Sequence, residues 1–154
     1  MDISTLTETL LSAMTTLGPI VVALTVLVGT LGLPVPSTAL LLAAGALARE
    51  GIIDLPMTLL VGLAAAVIGD SAGYLLGRKT GERAASRFGG SLWQQANERF
   101  NQQGWMAIYL SRWLLTPISV PINVISGIAG YNVRRFLSAE IAGDITWIAL
   151  YTGI

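Results

Sequence analysis

Four charged side chains stand in stretches where water-facing residues are otherwise absent. Asp70 is the only charge between Leu55 and Gly77, and Asp144 is the only one between Ile141 and Ile154. Glu140 precedes Asp144 by four residues and shares a helical face with Asp144, Trp147 and Tyr151. Arg112 directly precedes Trp113–Val133, a run without a single charge. A carboxylate at the centre of an apolar span costs about 2.5–3.5 kcal/mol on insertion scales, so it must face protein or water. There Asp70 serves either proton or substrate coupling or a buried hydrogen bond that holds a broken helix. Asp144 stands in the same kind of position, and Glu140 is read either with it or as an interfacial residue. Arg112 offers a forked guanidinium for a phosphate or an aspartate, or a long stem that snorkels to the membrane surface. Asn123 is one polar group in the same apolar run. Arg78, in Gly77-Arg78-Lys79-Thr80-Gly81, suits a helix C-terminus, with a head-group contact as the alternative.

The chain has no histidine and no cysteine. That excludes imidazole bases, thiolate chemistry, disulfides and zinc sites of the usual kind. The carboxylates are not grouped in sequence as metal ligands, so no metal, no cofactor and no enzymatic activity are expected. Of 154 residues, 12% are charged, against about 25% in soluble domains, and 53% are hydrophobic. The nine basic and nine acidic residues cancel, and the mean hydropathy is +0.68. Disorder and nucleic-acid binding are excluded on those grounds. An all-α integral membrane protein of four to six segments remains, four to six being a rough count from about 20 residues per crossing. Asp2 and Glu8 near the N-terminus argue against a cleaved signal peptide.

The elements that must position these groups are broken at prolines. Leu55–Gly77 is long enough to cross a bilayer. The uncharged run Thr9–Ala48 is instead interrupted by Gly32-Leu33-Pro34-Val35-Pro36, leaving a piece of roughly 15 to 20 residues before it and a shorter one, Ser37–Ala48, after it. Trp105–Val133 is interrupted at Pro117 and Pro121, leaving Ile122–Gly130, again too short to cross. Irregular backbone at membrane depth is tolerated only inside protein or beside a watery cavity. Both segments therefore read as re-entrant hairpins, with kinked full spans as the alternative. Arg78, Lys79, Arg83, Arg87 and Arg99 put 78–104 in the cytoplasm, and Arg134 and Arg135 put the second turn there too, with 49–54 outside. A segment 105–133 that leaves and returns to one side must be re-entrant. Between the hairpins, residues 91–103 read as an amphipathic helix, with Leu92, Trp93, Ala96 and Phe100 on one face, lying on the interface or packing on the protein. Gly62, Ala66, Gly69, Gly73 and Gly77 form a stripe that lets a neighbouring helix approach Asp70 closely.

The halves repeat an order of features. Pro34/Pro36, Gly45, Gly69-Asp70 and Tyr74 recur as Pro117/Pro121, Gly127, Gly143-Asp144 and Trp147. The charge bias places the two intervening turns on opposite faces, which is the inverted-repeat pattern of many transporters, with the site where broken helices meet. The first repeat covers about 17–81 and the second about 105–154 of a single domain.

These motifs in this order resemble the DedA family, whose domain is also called the VTT or SNARE-associated domain. The resemblance rests on Gly32–Ser37, Ala44-Gly45, Gly69-Asp70 with Tyr74, Gly77-Arg78 with Gly81, Ser111-Arg112-Trp113, Pro117, Pro121, Ser126-Gly127, Arg135-Phe136, and Gly143 with Trp147. It implies two oppositely oriented re-entrant hairpins and transport or scrambling of lipids, such as undecaprenyl phosphate or phospholipid, tied to the proton gradient. It points to Arg112, Asp70, Arg78 and the four prolines, to anionic phospholipid or polyprenyl phosphate as partner, and to a bacterial inner membrane. Where the family often carries acidic residues around the first prolines, this chain has Gly29 and Thr38. Where a second arginine often follows the second tip, it has Ile118 and Ser119. Ile141–Ile154 would reach only about 21 Å as a helix, and the family continues past this point, so a longer parent protein is expected. The expected function is a lipid transporter or scramblase, with a proton- or ion-coupled carrier of small polar solutes or anions as the alternative and homo-oligomerisation left open.

Overall fold

A computed structural model describes residues 3–33, 37–81, 83 and 90–152, with the side chains of 3–16 and 37 left out. Pro34 and Pro36, expected at the first break, lie outside the described residues. Among the described residues the structure is all-helical: α1 (Ile3–Thr30), α2 (Ser37–Arg49), α3 (Leu55–Thr80), α4 (Ser91–Gln103), α5 (Trp105–Trp113), a 3-10 turn (Thr116–Ile118), α6 (Ser119–Ile128) and α7 (Val133–Thr152).

Local chemistry sets these boundaries. Asp54 caps α3, its Oδ1 accepting from the Met57 N–H at 2.7 Å, and Pro56 sits in the first turn where its missing donor is not needed. Gly81 ends the helix with φ 55°, donating to the Gly77 carbonyl. Asn132 Oδ1 accepts from the N–H groups of Arg134 and Arg135 at the start of α7. Two expectations shift. The piece before the first break is longer than expected, a 28-residue helix that contains Pro19. The second break falls at 114–118, around Pro117; Pro121 lies in the first turn of α6 and interrupts nothing, because first-turn N–H groups have no intrahelical acceptor.

Each proline-broken segment folds back on itself. Gly18 of α1 lies against Ile53, just beyond α2, so the first hairpin opens at that end. Gly104, before α5, lies against Tyr131, just beyond α6, so the second hairpin opens at the end where Tyr74 Oη donates to the Tyr131 carbonyl (2.6 Å). The tips meet, with Gly32 against Val120. The long helices frame them. α3 packs on α1 and α6, and α7 packs on α5 and α2. The small-residue stripe of α3 explains its contacts: Gly62 meets Val22, Gly69 meets Thr30, and Gly73 and Gly77 meet Asn123 and the Val124 backbone. Gly127 of α6 in turn lies on the Tyr74 carbonyl, and Gly45 of α2 lies on the Thr152 carbonyl of α7, where a Cβ would come within 2.8 Å.

Two apolar cores result. One, at the opening of the second hairpin, holds Tyr74, Phe100, Ile108, Ile122 and Phe136; the other holds Val22, Val26, Leu41, Ala66 and Trp147. The helix α4 turns Ala96 and Phe100 into the first core, so its apolar face is a packing face, while Leu92 stays exposed. The outer surface carries Leu24, Leu42, Leu60, Ile68, Leu76, Ile145 and Leu150, all largely exposed. Such a surface suits lipid as solvent. α3 is the one described helix long and apolar enough to cross a membrane, and Leu17–Thr30, Thr38–Arg49 and Thr116–Ile128 are shorter apolar stretches.

Candidate functional site

The buried charges converge between the two cores. α3 brings Asp70, α5 brings Arg112, α6 brings Asn123, and α7 brings Glu140 and Asp144; all five are buried. Arg112 reaches this point because Gly143 leaves room: a Cβ there would come within 2.6 Å of Arg112 Cγ and 2.7 Å of the Tyr109 carbonyl. Its Nη1 lies 2.9 Å from Asp70 Oδ1. Its Nη2 donates to Asn123 Oδ1 at 2.6 Å, and Asn123 Nδ2 donates to the same Asp70 oxygen at 2.6 Å. The result is a closed triangle in which the amide bridges cation and anion, a charge-assisted arrangement stronger than neutral hydrogen bonds.

Three carboxylates surround this one guanidinium. An oxygen from each of Asp70, Glu140 and Asp144 lies within 4.8 Å of the others. Both Glu140 oxygens, Asp144 Oδ2 and Arg112 Nε are buried with no hydrogen-bond partner among the described residues. Glu140 is therefore not interfacial, since its side chain is inaccessible. Arg112 does not snorkel; it pairs with an aspartate. The acidic residues, scattered in sequence, are grouped in space.

A cavity of about 610 Å³ opens beside the triangle. Its walls come from both tips, Thr30–Leu33 from the first and Thr116, Pro117, Ser119, Val120 and Pro121 from the second, with Asp70, Arg112, Asp144 and Trp147 at its base. Asn123 and Glu140 stand behind that surface. Arg78 is not part of the site. It is exposed and donates to Tyr74 Oη at 2.6 Å, while Tyr74 Oη itself donates to the Tyr131 carbonyl and ties α3 to that turn. The N-terminus of α6 lies at Ser119, not near Ile122, and faces the cavity through Ser119 and Val120. Sequence reasoning missed the hydroxyls of Thr30, Thr116 and Ser119; each is a polar residue beside a proline or glycine break, which was the available signal.

The VTT domain profile matches residues 35–154. The chain belongs to the VTT-domain family. It is 32% identical over 125 residues to the uncharacterized membrane protein slr0232 of Synechocystis, covering 77% of this chain and 57% of that protein. It is 29% identical over 125 residues to Protein DedA of Escherichia coli, covering 76% and 56%. It is 28% identical over 122 residues to the inner membrane protein YghB of the same organism, covering 76% and 55%. The chain thus spans little more than half the length of these relatives. No solved structure gives a significant match. This VTT domain is a membrane protein, consistent with its apolar outer surface. Among the described residues, its charged centre lies inside the matched span.

Proposed function

We propose that the protein moves a lipid with an anionic head group, a phospholipid or a polyprenyl phosphate, across a bacterial inner membrane as a multi-pass transporter or scramblase. The observation that carries this reading is the cavity between the hairpin tips, with the buried Arg112 guanidinium at its base and the first turn of α6 on its wall. A helix N-terminus and a guanidinium both favour a phosphate. The apolar exterior lets acyl chains remain in the bilayer while the head group enters. The convergence of the two tips, and the reciprocal packing of α2 on α7 and α6 on α3, support reading 17–81 and 105–154 as an inverted repeat of re-entrant hairpins within one domain.

Asp70 occupies Arg112 in this structure, so an entering phosphate competes with Asp70 for the guanidinium. Asp70→Asn removes the competing charge but keeps the shape and a carbonyl acceptor, while Asp144 and Glu140 remain as counter-charges nearby. The variant is expected to fold and to transport more slowly, because exchange of counter-ions is then uncoupled from head-group binding. Purified protein in liposomes carrying a fluorescent anionic lipid in one leaflet tests the reading. Movement of the lipid that is absent from empty liposomes and reduced in Asp70→Asn supports it; no movement of any lipid removes it. The cluster of carboxylates favours a second reading, a proton- or ion-coupled carrier of small anions, which the same liposomes test by uptake of a labelled solute. Both readings are non-enzymatic.

A further inference from the structure

The Arg112–Asp70–Asn123 triangle is balanced in charge: one guanidinium, one carboxylate and a bridging amide, with Asp70 Oδ1 accepting two bonds. Glu140 and Asp144 stand outside that balance. Glu140 has no exposed surface and neither of its oxygens has a partner among the described residues; Asp144 is 4% exposed and its Oδ2 is equally unpartnered. A carboxylate is an acceptor only, and a buried one without a donor or a cation carries a penalty of several kcal/mol. Three buried acidic groups share one guanidinium, which pairs directly with Asp70; Glu140 and Asp144, when ionised, need a further cation.

We propose that Glu140 and Asp144, with Asp70 beside them, bind a hard divalent cation of calcium size. The count fits, since Glu140 and Asp144, once ionised, offer two negative charges to one divalent ion. The donors fit, since all are carboxylate oxygens. The dimensions fit as well. The oxygens all lie within 4.8 Å of one another, a separation that calcium ligands span. Ligands about 2.3–2.6 Å from calcium lie at most about 4.6–5.2 Å from each other, whereas magnesium at about 2.0–2.1 Å closes them to about 4.2 Å. The cavity gives access and room for water ligands, because Asp70 and Asp144 line it while Glu140 closes the inner side. Arg112 is positioned by its bonds to Asp70 and Asn123, so its direct ion pair is with Asp70. This inference does not rest on the transport reading, and its test needs no substrate.

Full-chain protein is purified in detergent, stripped with a chelator, and titrated with CaCl2 by calorimetry, with MgCl2 and with NaCl at matched ionic strength as comparisons. Thermal unfolding is followed in the same series. Calcium is expected to bind the wild-type protein and raise its unfolding temperature more than magnesium or sodium does. Glu140→Gln and Asp144→Asn should each weaken calcium binding by more than about 10-fold, the scale on which even supporting residues act at metal sites. Glu98→Gln, on the exposed face of α4, should leave it unchanged. If Glu140→Gln does not fold, Asp144→Asn carries the same comparison. Absence of calcium binding to the wild-type protein overturns the proposal, as does binding that survives both substitutions or an unfolding temperature that responds to pH alone.

Discussion

The two halves of this protein share a packing scheme and differ in their charges. In the first half, α1 lays Thr30 against Gly69, the residue before Asp70; in the second, α5 lays Arg112 against Gly143, the residue before Asp144. In the first, α2 rests on α7 through Gly45; in the second, α6 rests on α3 through Gly127. Yet four of the five polar groups at the centre, Arg112, Asn123, Glu140 and Asp144, come from the second half, and the first adds only Asp70. Glycine and proline set the scaffold in both halves, since close backbone approach and a helix break need no particular side-chain chemistry. Function then differentiates the side chains on equivalent frames. Gly29 and Thr38 illustrate this: both line the cavity where the family resemblance leads one to expect acidic residues, and the carboxylates reach that region from α7 instead.

The comparison breaks most severely at Arg112. Arg112→Ala leaves the buried Asp70 without its ion-pair partner, and a loss of about 3–5 kcal/mol is expected, as for removal of one partner of a buried pair. Asp70→Asn in the same chain should restore part of that loss. Thermal unfolding of the two single variants and the double variant measures the coupling; strict additivity would remove the pairing as a source of stability. Next come the glycines. Gly127→Val and Gly45→Val each force a side chain onto a backbone carbonyl of the opposite half, of Tyr74 and of Thr152, and each is expected to cost about 3 kcal/mol or more. Similar losses from both would sharpen the equivalence of the halves. A large loss at one and none at the other would break it. The smallest effect is expected at Thr30, the counterpart of Arg112. Its hydroxyl bonds only to the Leu27 carbonyl of its own helix at 2.8 Å, so Thr30→Val, which keeps the shape, should change stability by less than about 1 kcal/mol.

The frame was largely legible in the sequence. Runs without charge locate α3 and the two interrupted segments, and the glycine stripe of α3 marks a surface for close approach. The second break was misplaced because Pro121 looks like a helix breaker until its position in a first turn is known, and that depends on where Leu114–Ile118 turns. The site was legible by residue and not by arrangement. Asp70, Arg112, Asn123 and Asp144 stand out as polar groups in apolar runs. That Asp70, Arg112 and Asn123 touch, with Asp144 close by, is a tertiary fact, set by Gly73 against Asn123 and Gly143 against Arg112, which no local pattern encodes. Glu140 shows the same gap: its place five residues after Arg135 suits an interface, while its burial depends on how α7 sits against α5. Arg78 stands apart from the cavity, in the last turn of α3. Its motif is shared with the family, but its guanidinium serves Tyr74.

The central claim is that equivalent hairpins enter from opposite faces and meet tip to tip. Single cysteines in this cysteine-free chain test it directly, at the exposed positions Glu50, Arg99 and Arg134, with an impermeant thiol reagent applied to either side of sealed, oriented membrane vesicles. Arg99→Cys and Arg134→Cys should label from one side and Glu50→Cys from the other. Labelling of Arg99→Cys and Arg134→Cys from opposite sides would mean that residues 105–133 cross the membrane, and would contradict the account.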